Sequence, residues 1–269
     1  MHDHEHAHTN DQGGHEHAHA HAHAPMTIVG NAPPTVELIR SRRERLMARL
    51  RAAAERVGHD PDRLRIVAVT KTWPVSVCRV ALEAGCELLG ENRVQEAEEK
   101  IAQLPEAEWH LVGRLQSNKA RRALRGFRMI HSVDSMGLLS RLDTIAGELE
   151  LTPQLLLQVN LSGEVTKAGF DLDAFSEAVL PGGELTRAVR ELRNASVQGL
   201  MTVAALGIGE EEQHATFARL RELRDTLQES SGRALPELSM GMTADAEAAA
   251  AEGATLVRIG TALFGPRAG

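Results

Sequence analysis

Arg65-Ile66-Val67-Ala68-Val69-Thr70-Lys71-Thr72-Trp73-Pro74 opens with a short apolar run that leads into a lysine. Its first six residues read as a β-strand. Seven comparable runs follow, at 87–90, 109–113, 129–133, 155–160, 196–202, 237–240 and 256–260. Helical patterns fill most of the gaps. Val94, Ala97 and Ile101 share one face, and Phe217, Leu220, Leu223 and Leu227 share another. The alanine-rich stretch 244–252 has Asp245 and Glu247 early and Gly253 just past its end, as the helix dipole and C-cap preferences favour. Strands that alternate with helices pair in parallel. Eight such units imply the α/β class and a closed (β/α)8 TIM barrel. An open doubly wound sheet is the alternative, but no Gly-x-Gly-x-x-Gly follows the first strand, which weakens a dinucleotide reading.

Upstream, Ile39, Leu46, Leu50, Ala53 and Val57 recur at helical spacing, so an extra amphipathic helix is expected over 35–57. Gly58 is its C-cap candidate. Before it, residues 1–34 form a tail and linker. Nine of the thirteen histidines lie in the first 24 residues, alternating with Asp, Glu, Ala or Thr. That composition cannot build a core, so the tail is expected to be disordered, with imidazoles dense enough to attract Ni²⁺, Zn²⁺ or Cu²⁺. A dispensable extension is the plainer reading. The folded domain is expected to occupy 35–269, and no metal site is expected within it.

Composition narrows the function classes. The 269 residues are 42% hydrophobic and 25% charged, with five Phe, two Trp and no Tyr. No phenol is available as base, nucleophile or stacking platform. The tail contributes four of the acidic charges in the formal −7 and no basic ones, so the remainder is close to neutral. Neither nucleic acid nor a membrane is expected as partner. No apolar run reaches the ~18 residues of a membrane span, and no signal-peptide core is visible. Cys78 and Cys86 read as reduced thiols in a cytoplasmic protein. The basic run Arg114, Lys119, Arg121, Arg122, Arg125 and Arg128 reads first as a solvated face, and second as a docking surface for an acidic client.

In a parallel barrel, chemistry gathers at the C-terminal strand ends. Lys71 shares parity with Val67 and Val69. If they point inward, an amine stands at the barrel mouth, and a desolvated lysine amine is nucleophilic. Strand seven ends in Ser239-Met240-Gly241-Met242-Thr243 and strand eight in Arg258-Ile259-Gly260-Thr261. Glycine lets backbone N–H groups approach an anion, and the hydroxyls add donors, at the usual phosphate site of the barrel. Thr243 can equally be a simple N-cap. Together these features imply an aldehyde that bears a phosphate, held covalently at one end and electrostatically at the other.

The matching stretches then extend further. Ala68-Val69-Thr70-Lys71-Thr72, Gly90-Glu91-Asn92-Arg93-Val94-Gln95-Glu96, Trp109-His110-Leu111-Val112-Gly113-Arg114-Leu115-Gln116-Ser117-Asn118-Lys119, His131-Ser132-Val133-Asp134-Ser135, Gly199-Leu200-Met201-Thr202, Ser239-Met240-Gly241-Met242 and Val257-Arg258-Ile259-Gly260-Thr261 run in order along the chain. In these the sequence resembles the YggS family of pyridoxal phosphate homeostasis proteins. Arg93, where members often carry Tyr, and Arg114, where many carry His, depart from the pattern.

The resemblance implies a barrel of the alanine racemase type (fold type III) that binds pyridoxal 5′-phosphate. It implies Lys71 as the Schiff-base lysine, and Ser239, Gly241, Gly260 and Thr261 around the phosphate. It also implies Arg258 against the pyridine nitrogen and Asn92 near the ring. A guanidinium stays protonated, so it leaves that nitrogen unprotonated and the ring a weaker electron sink. The implied role is cytoplasmic cofactor homeostasis and delivery to apo-enzymes with little or no turnover; the low aromatic content and near-neutral core fit a monomer. The alternative is a PLP-dependent racemase or decarboxylase. Against it stand the missing Tyr and a chain that runs only nine residues past Gly260. His110, His131 or one of the two thiols is the possible substitute base, although strand-end histidines are more often satisfied locally.

Overall fold

The computed structural model describes residues 33–164 and 167–266. The disorder and metal binding expected of the tail concern residues 1–32, which lie outside them.

Among the described residues there are nine strands: β1 (Arg65–Val69), β2 (Leu88–Glu91), β3 (Glu108–Leu111), β4 (Met129–Val133), β5 (Gln154–Asn160), β6 (Phe170–Asp171), β7 (Ser196–Met201), β8 (Glu237–Ser239) and β9 (Leu256–Ile259). All their pairings are parallel. The order β4-β3-β2-β1-β9-β8-β7-β5 closes because β4 also pairs with β5. The expected eight-stranded barrel is therefore present. The two-residue β6 hangs on β5, outside that ring, and was too short for the sequence pattern to show.

The helices are α1 (Val36–Arg56), α2 (Val75–Glu83), α3 (Val94–Gln103), α4 (Ala120–Gly126), α5 (Met136–Glu148), α6 (Leu172–Ala178), α7 (Glu184–Glu191), α8 (Glu210–Ser231), α9 (Ala246–Ala251) and α10 (Thr261–Phe264). The helix α10 is a single turn, so the outer layer would be thin after β9. The extra helix α1 packs against α2, α9 and α10 and covers that place. Thr35 starts it as N-cap, its Oγ1 accepting from Leu38 N at 3.3 Å. Ile39, Leu46, Leu50, Ala53 and Ala54 form the buried stripe; Val57, at the C-cap, is exposed instead.

Two apolar clusters result. The larger lies between the sheet and the helices. The smaller fills the barrel interior with Val67, Leu88, Met129, Leu156, Met201 and Leu256. Val67 thus points inward. Side chains alternate along a strand, so Val69 and Lys71 face the same way at the C-terminal mouth.

Candidate functional site

A cavity of about 380 Å³ opens at that mouth. It falls within the roughly 300–1,000 Å³ usual for small-molecule sites. The ends of β1 and β2 supply Val69, Lys71 and Asn92, and Val112 and Val203 follow β3 and β7. The turn after β8 supplies Met242, Thr243 and Ala244, and β9 with its turn supplies Arg258, Gly260 and Thr261. Lys71, Asn92, Arg258, Gly260 and Thr261, all expected from sequence, therefore meet here.

Lys71 is half-buried and held by its main chain. The carbonyl of Thr70 accepts from Lys100 Nζ at 3.0 Å. The same Nζ pairs with Glu91 Oε1 at 2.6 Å, and Thr70 Oγ1 donates to that oxygen at 2.7 Å. On the other side Thr72 takes a φ of 66°. A β-branched residue is strained in that left-handed region, at a cost of about 1–3 kcal/mol, and such strain concentrates at functional sites.

Gly113 sets Asn92. A Cβ at Gly113 would lie 2.3 Å from the Asn92 carbonyl oxygen, so only glycine lets the loops after β2 and β3 meet this closely.

Arg258 is 5% exposed and lies in no ion pair among the described residues. Its Nη1 donates to Ser239 Oγ and its Nη2 to the Thr202 carbonyl, each at 2.7 Å. Burial lowers its pKa to about 10, so it remains a cation at neutral pH. A guanidinium has five donors. Two are used on the protein, and the residue itself forms part of the cavity wall.

Ser239 and Gly241 sit differently from the phosphate contacts expected of them. Ser239 is fully buried, below the mouth, with its Oγ committed to Arg258 and to His131 Nδ1 at 2.8 Å. Its inward parity at the last position of β8 puts it a layer too deep to line the cavity. Gly241 has a φ of 87°, and a Cβ there would come 2.6 Å from the Ala249 Cβ. It shapes the turn that presents Met242, Thr243 and Ala244. Of the two readings open for Thr243 from sequence, hydroxyl donor or simple N-cap, its place in the cavity wall favours the donor. Met242 N–H donates to Asp245 Oδ1 at 2.6 Å. Among the described residues, the N–H groups of Thr243, Ala244, Thr261 and Ala262 have no acceptor. They form two sets of free donors, with the Thr243 and Thr261 hydroxyls beside them.

His110 and His131 line no part of the cavity. Both are fully buried, with His131 Nε2 and His110 Nδ1 2.9 Å apart. Burial holds both below the usual histidine value, His131 well below it. Cys78 and Cys86 are buried and free, and burial pushes the Cys86 thiol up to about 11. Three of the six residues in the basic run pair with acids: Arg114 with Asp134, Arg121 with Glu148 and Arg122 with Glu98.

A small-ligand cavity with one amine, one buried guanidinium and two turns of free N–H donors, at the C-terminal mouth of a (β/α)8 barrel, defines a class of anion-binding barrel proteins. Comparison with known proteins narrows the class. Residues 42–268 match the profile described as alanine racemase, N-terminal domain. The chain is 41% identical over 210 residues to the pyridoxal phosphate homeostasis protein of Synechocystis sp., covering 77% of this chain and 93% of that one. It is 43% identical over 229 residues to the protein of that name from Pseudomonas aeruginosa, covering 83% and 93%. The structure of PipY from Synechococcus elongatus with PLP bound superposes with a TM-score of 0.70 at 41% identity, over 84% of this chain and all of that one. The chain belongs to the alanine racemase N-terminal domain family and, within it, to the pyridoxal phosphate homeostasis proteins.

Proposed function

We propose that the protein binds pyridoxal 5′-phosphate covalently through Lys71 and keeps it for delivery to apo-enzymes in the cytoplasm, with little or no turnover. When bound, the cofactor supplies an aldehyde carbon that condenses with a primary amine with loss of water. The lining fits such a group. Among the described residues, Lys71 is the one primary amine in the cavity wall. The N–H groups and hydroxyls of Thr243 and Thr261, with Gly260, would hold the phosphate. Arg258 would donate to the ring nitrogen, and Asn92 would stand beside the ring. Ser239 and Gly241 act one step back, Ser239 on Arg258 and Gly241 on the turn.

The observation that carries the non-catalytic reading is the composition of the wall. Among the described residues, Lys71 and Arg258 are its only titratable side chains. A two-base racemase needs a second proton carrier on the opposite face. The sequence has no tyrosine, and the barrel histidines bond each other beneath the cavity. No described helix is long and apolar enough to cross a membrane.

The test is uptake of pyridoxal phosphate followed by visible absorbance, with an alanine racemisation assay alongside. The expected result is a visible band in the wild type, its loss in Lys71→Ala, and no sustained racemisation. Failure of the wild type to take up the cofactor refutes the binding reading. A turnover of about 1 s⁻¹ or more, within the enzyme range, refutes the carrier reading.

A further inference from the structure

A chain of hydrogen bonds crosses the barrel interior from one mouth to the other. Glu108, the first residue of β3, stands at the N-terminal mouth with its side chain 43% exposed. Its Oε1 lies 3.1 Å from His110 Nε2. His110 Nδ1 lies 2.9 Å from His131 Nε2, and His131 Nδ1 lies 2.8 Å from Ser239 Oγ. Arg258 Nη1 completes the chain on Ser239 Oγ at 2.7 Å. Barrel interiors are ordinarily filled with branched apolar side chains, and a buried polar chain is costly unless every member is satisfied.

The two ends decide which way every proton points. A guanidinium only donates, so Ser239 Oγ accepts from Arg258. Burial works against a second proton on either ring, which leaves each histidine one N–H to place. A carboxylate only accepts, and the His110 hydrogen bond holds Glu108 below the usual carboxylate value. His110 therefore carries its proton on Nε2 and accepts at Nδ1. His131 must then donate from Nε2 and accept at Nδ1 from the Ser239 hydroxyl. The reverse polarity would set a bare His110 Nε2 against a carboxylate oxygen. Arg65 from β1 and Glu237 from β8 are the further charges that face His110, and Arg65 and Arg258 those that face His131.

We propose that Glu108, His110 and His131 are positioning residues for Arg258: the one-way chain fixes Ser239 Oγ as an acceptor and so fixes the guanidinium in the cavity wall from the opposite mouth of the barrel. Its consequence for cofactor affinity rests on the binding reading above; the polarity of the chain does not.

The experiment has two arms. In the first, histidine is labelled with ¹⁵N in the full chain without added cofactor, and two-bond ¹H–¹⁵N spectra are recorded at neutral pH. His110→Gln and His131→Asn supply the assignments. Both rings are expected as neutral Nε2–H tautomers, with Ser239→Ala changing the His131 signals. An imidazolium or an Nδ1–H tautomer at either ring overturns the proposal. In the second arm, pyridoxal phosphate affinity is measured for Glu108→Leu and Glu108→Gln. The leucine removes the acceptor at the far mouth, and affinity is expected to fall on the order of fivefold, the lower end of coupling between distant sites. Glutamine keeps an acceptor oxygen and is expected to restore most of that loss. Unchanged affinity in a folded Glu108→Leu overturns the positioning role. If the wild type takes up no cofactor, the binding reading fails while the tautomer result still decides the polarity of the chain.

Discussion

Two buried polar networks end at the cavity, and they are built differently. Behind Lys71 the network is charged: Lys100 and Glu91 pair at 2.6 Å on the outer side of β1 and β2, beneath α3. Beneath Arg258 it is a neutral chain through the barrel interior, with charges only at its ends. The ion pair acts on the main chain, because Lys100 grips the Thr70 carbonyl. The neutral chain acts on a side chain, because it ends on a guanidinium. A backbone turn must be held against strain, and Thr72 beside Lys71 is strained. A guanidinium has only to be oriented. A concentrated pair of charges suits the first task and a relay of dipoles the second.

The largest effect comes from breaking the charged network. Lys100→Met leaves Glu91 buried without its cation, and one Glu91 oxygen already has no partner. Removing one member of such a pair costs about 3–5 kcal/mol. Denaturant unfolding should show that loss, and Lys100→Met with Glu91→Leu should recover most of it. A single variant as stable as the wild type would mean that the pair holds nothing in place.

The neutral network should answer to acid. His110 and His131 have folded pKa values below the unfolded 6.5. The unfolded chain therefore binds more protons below 6.5. Their contribution is fully present above that pH and is lost as pH falls from 6.5 through the folded values. The slope is at most about 1.4 kcal/mol per histidine for each pH unit. The comparison is between the wild type and a variant carrying His110→Gln and His131→Asn. Identical pH slopes between 6.5 and 5 would remove the histidines from the account.

The smallest effect on stability is expected at the cavity wall itself. A Cβ at Gly260 would meet nothing closer than the Val69 carbonyl at 3.5 Å. Gly260→Ala should therefore change stability by less than about 1 kcal/mol, within the range of substitutions that create no strain. The methyl group still enters the cavity wall, so cofactor affinity should fall. Unfolding and binding titrations on one preparation separate the two, and unchanged affinity would take Gly260 out of the site.

These contrasts also mark what sequence could show. Alternating strands and helices gave the barrel, and strand parity put Lys71 at its mouth. Neither the resemblance nor strand parity gives depth, and Ser239, expected around the phosphate, lies a layer below the cavity wall. The His110–His131 bond depends on the lateral register of β3 and β4, where His110 lies opposite Met129. No single-strand pattern carries that register. Glu108 was missed because the third strand begins one residue earlier than its apolar run. Lys100 follows Val94 and Ala97 on the buried face of α3, where a lysine looks like a break in the pattern. Only its partner on β2 explains it.

The central claim is that Lys71 holds the cofactor covalently. The most direct measurement is borohydride reduction of protein loaded with pyridoxal phosphate, followed by peptide mapping. The account predicts one modified residue, Lys71, at close to full occupancy. Modification spread over surface lysines, or concentrated on Lys100 or Lys119, would contradict it.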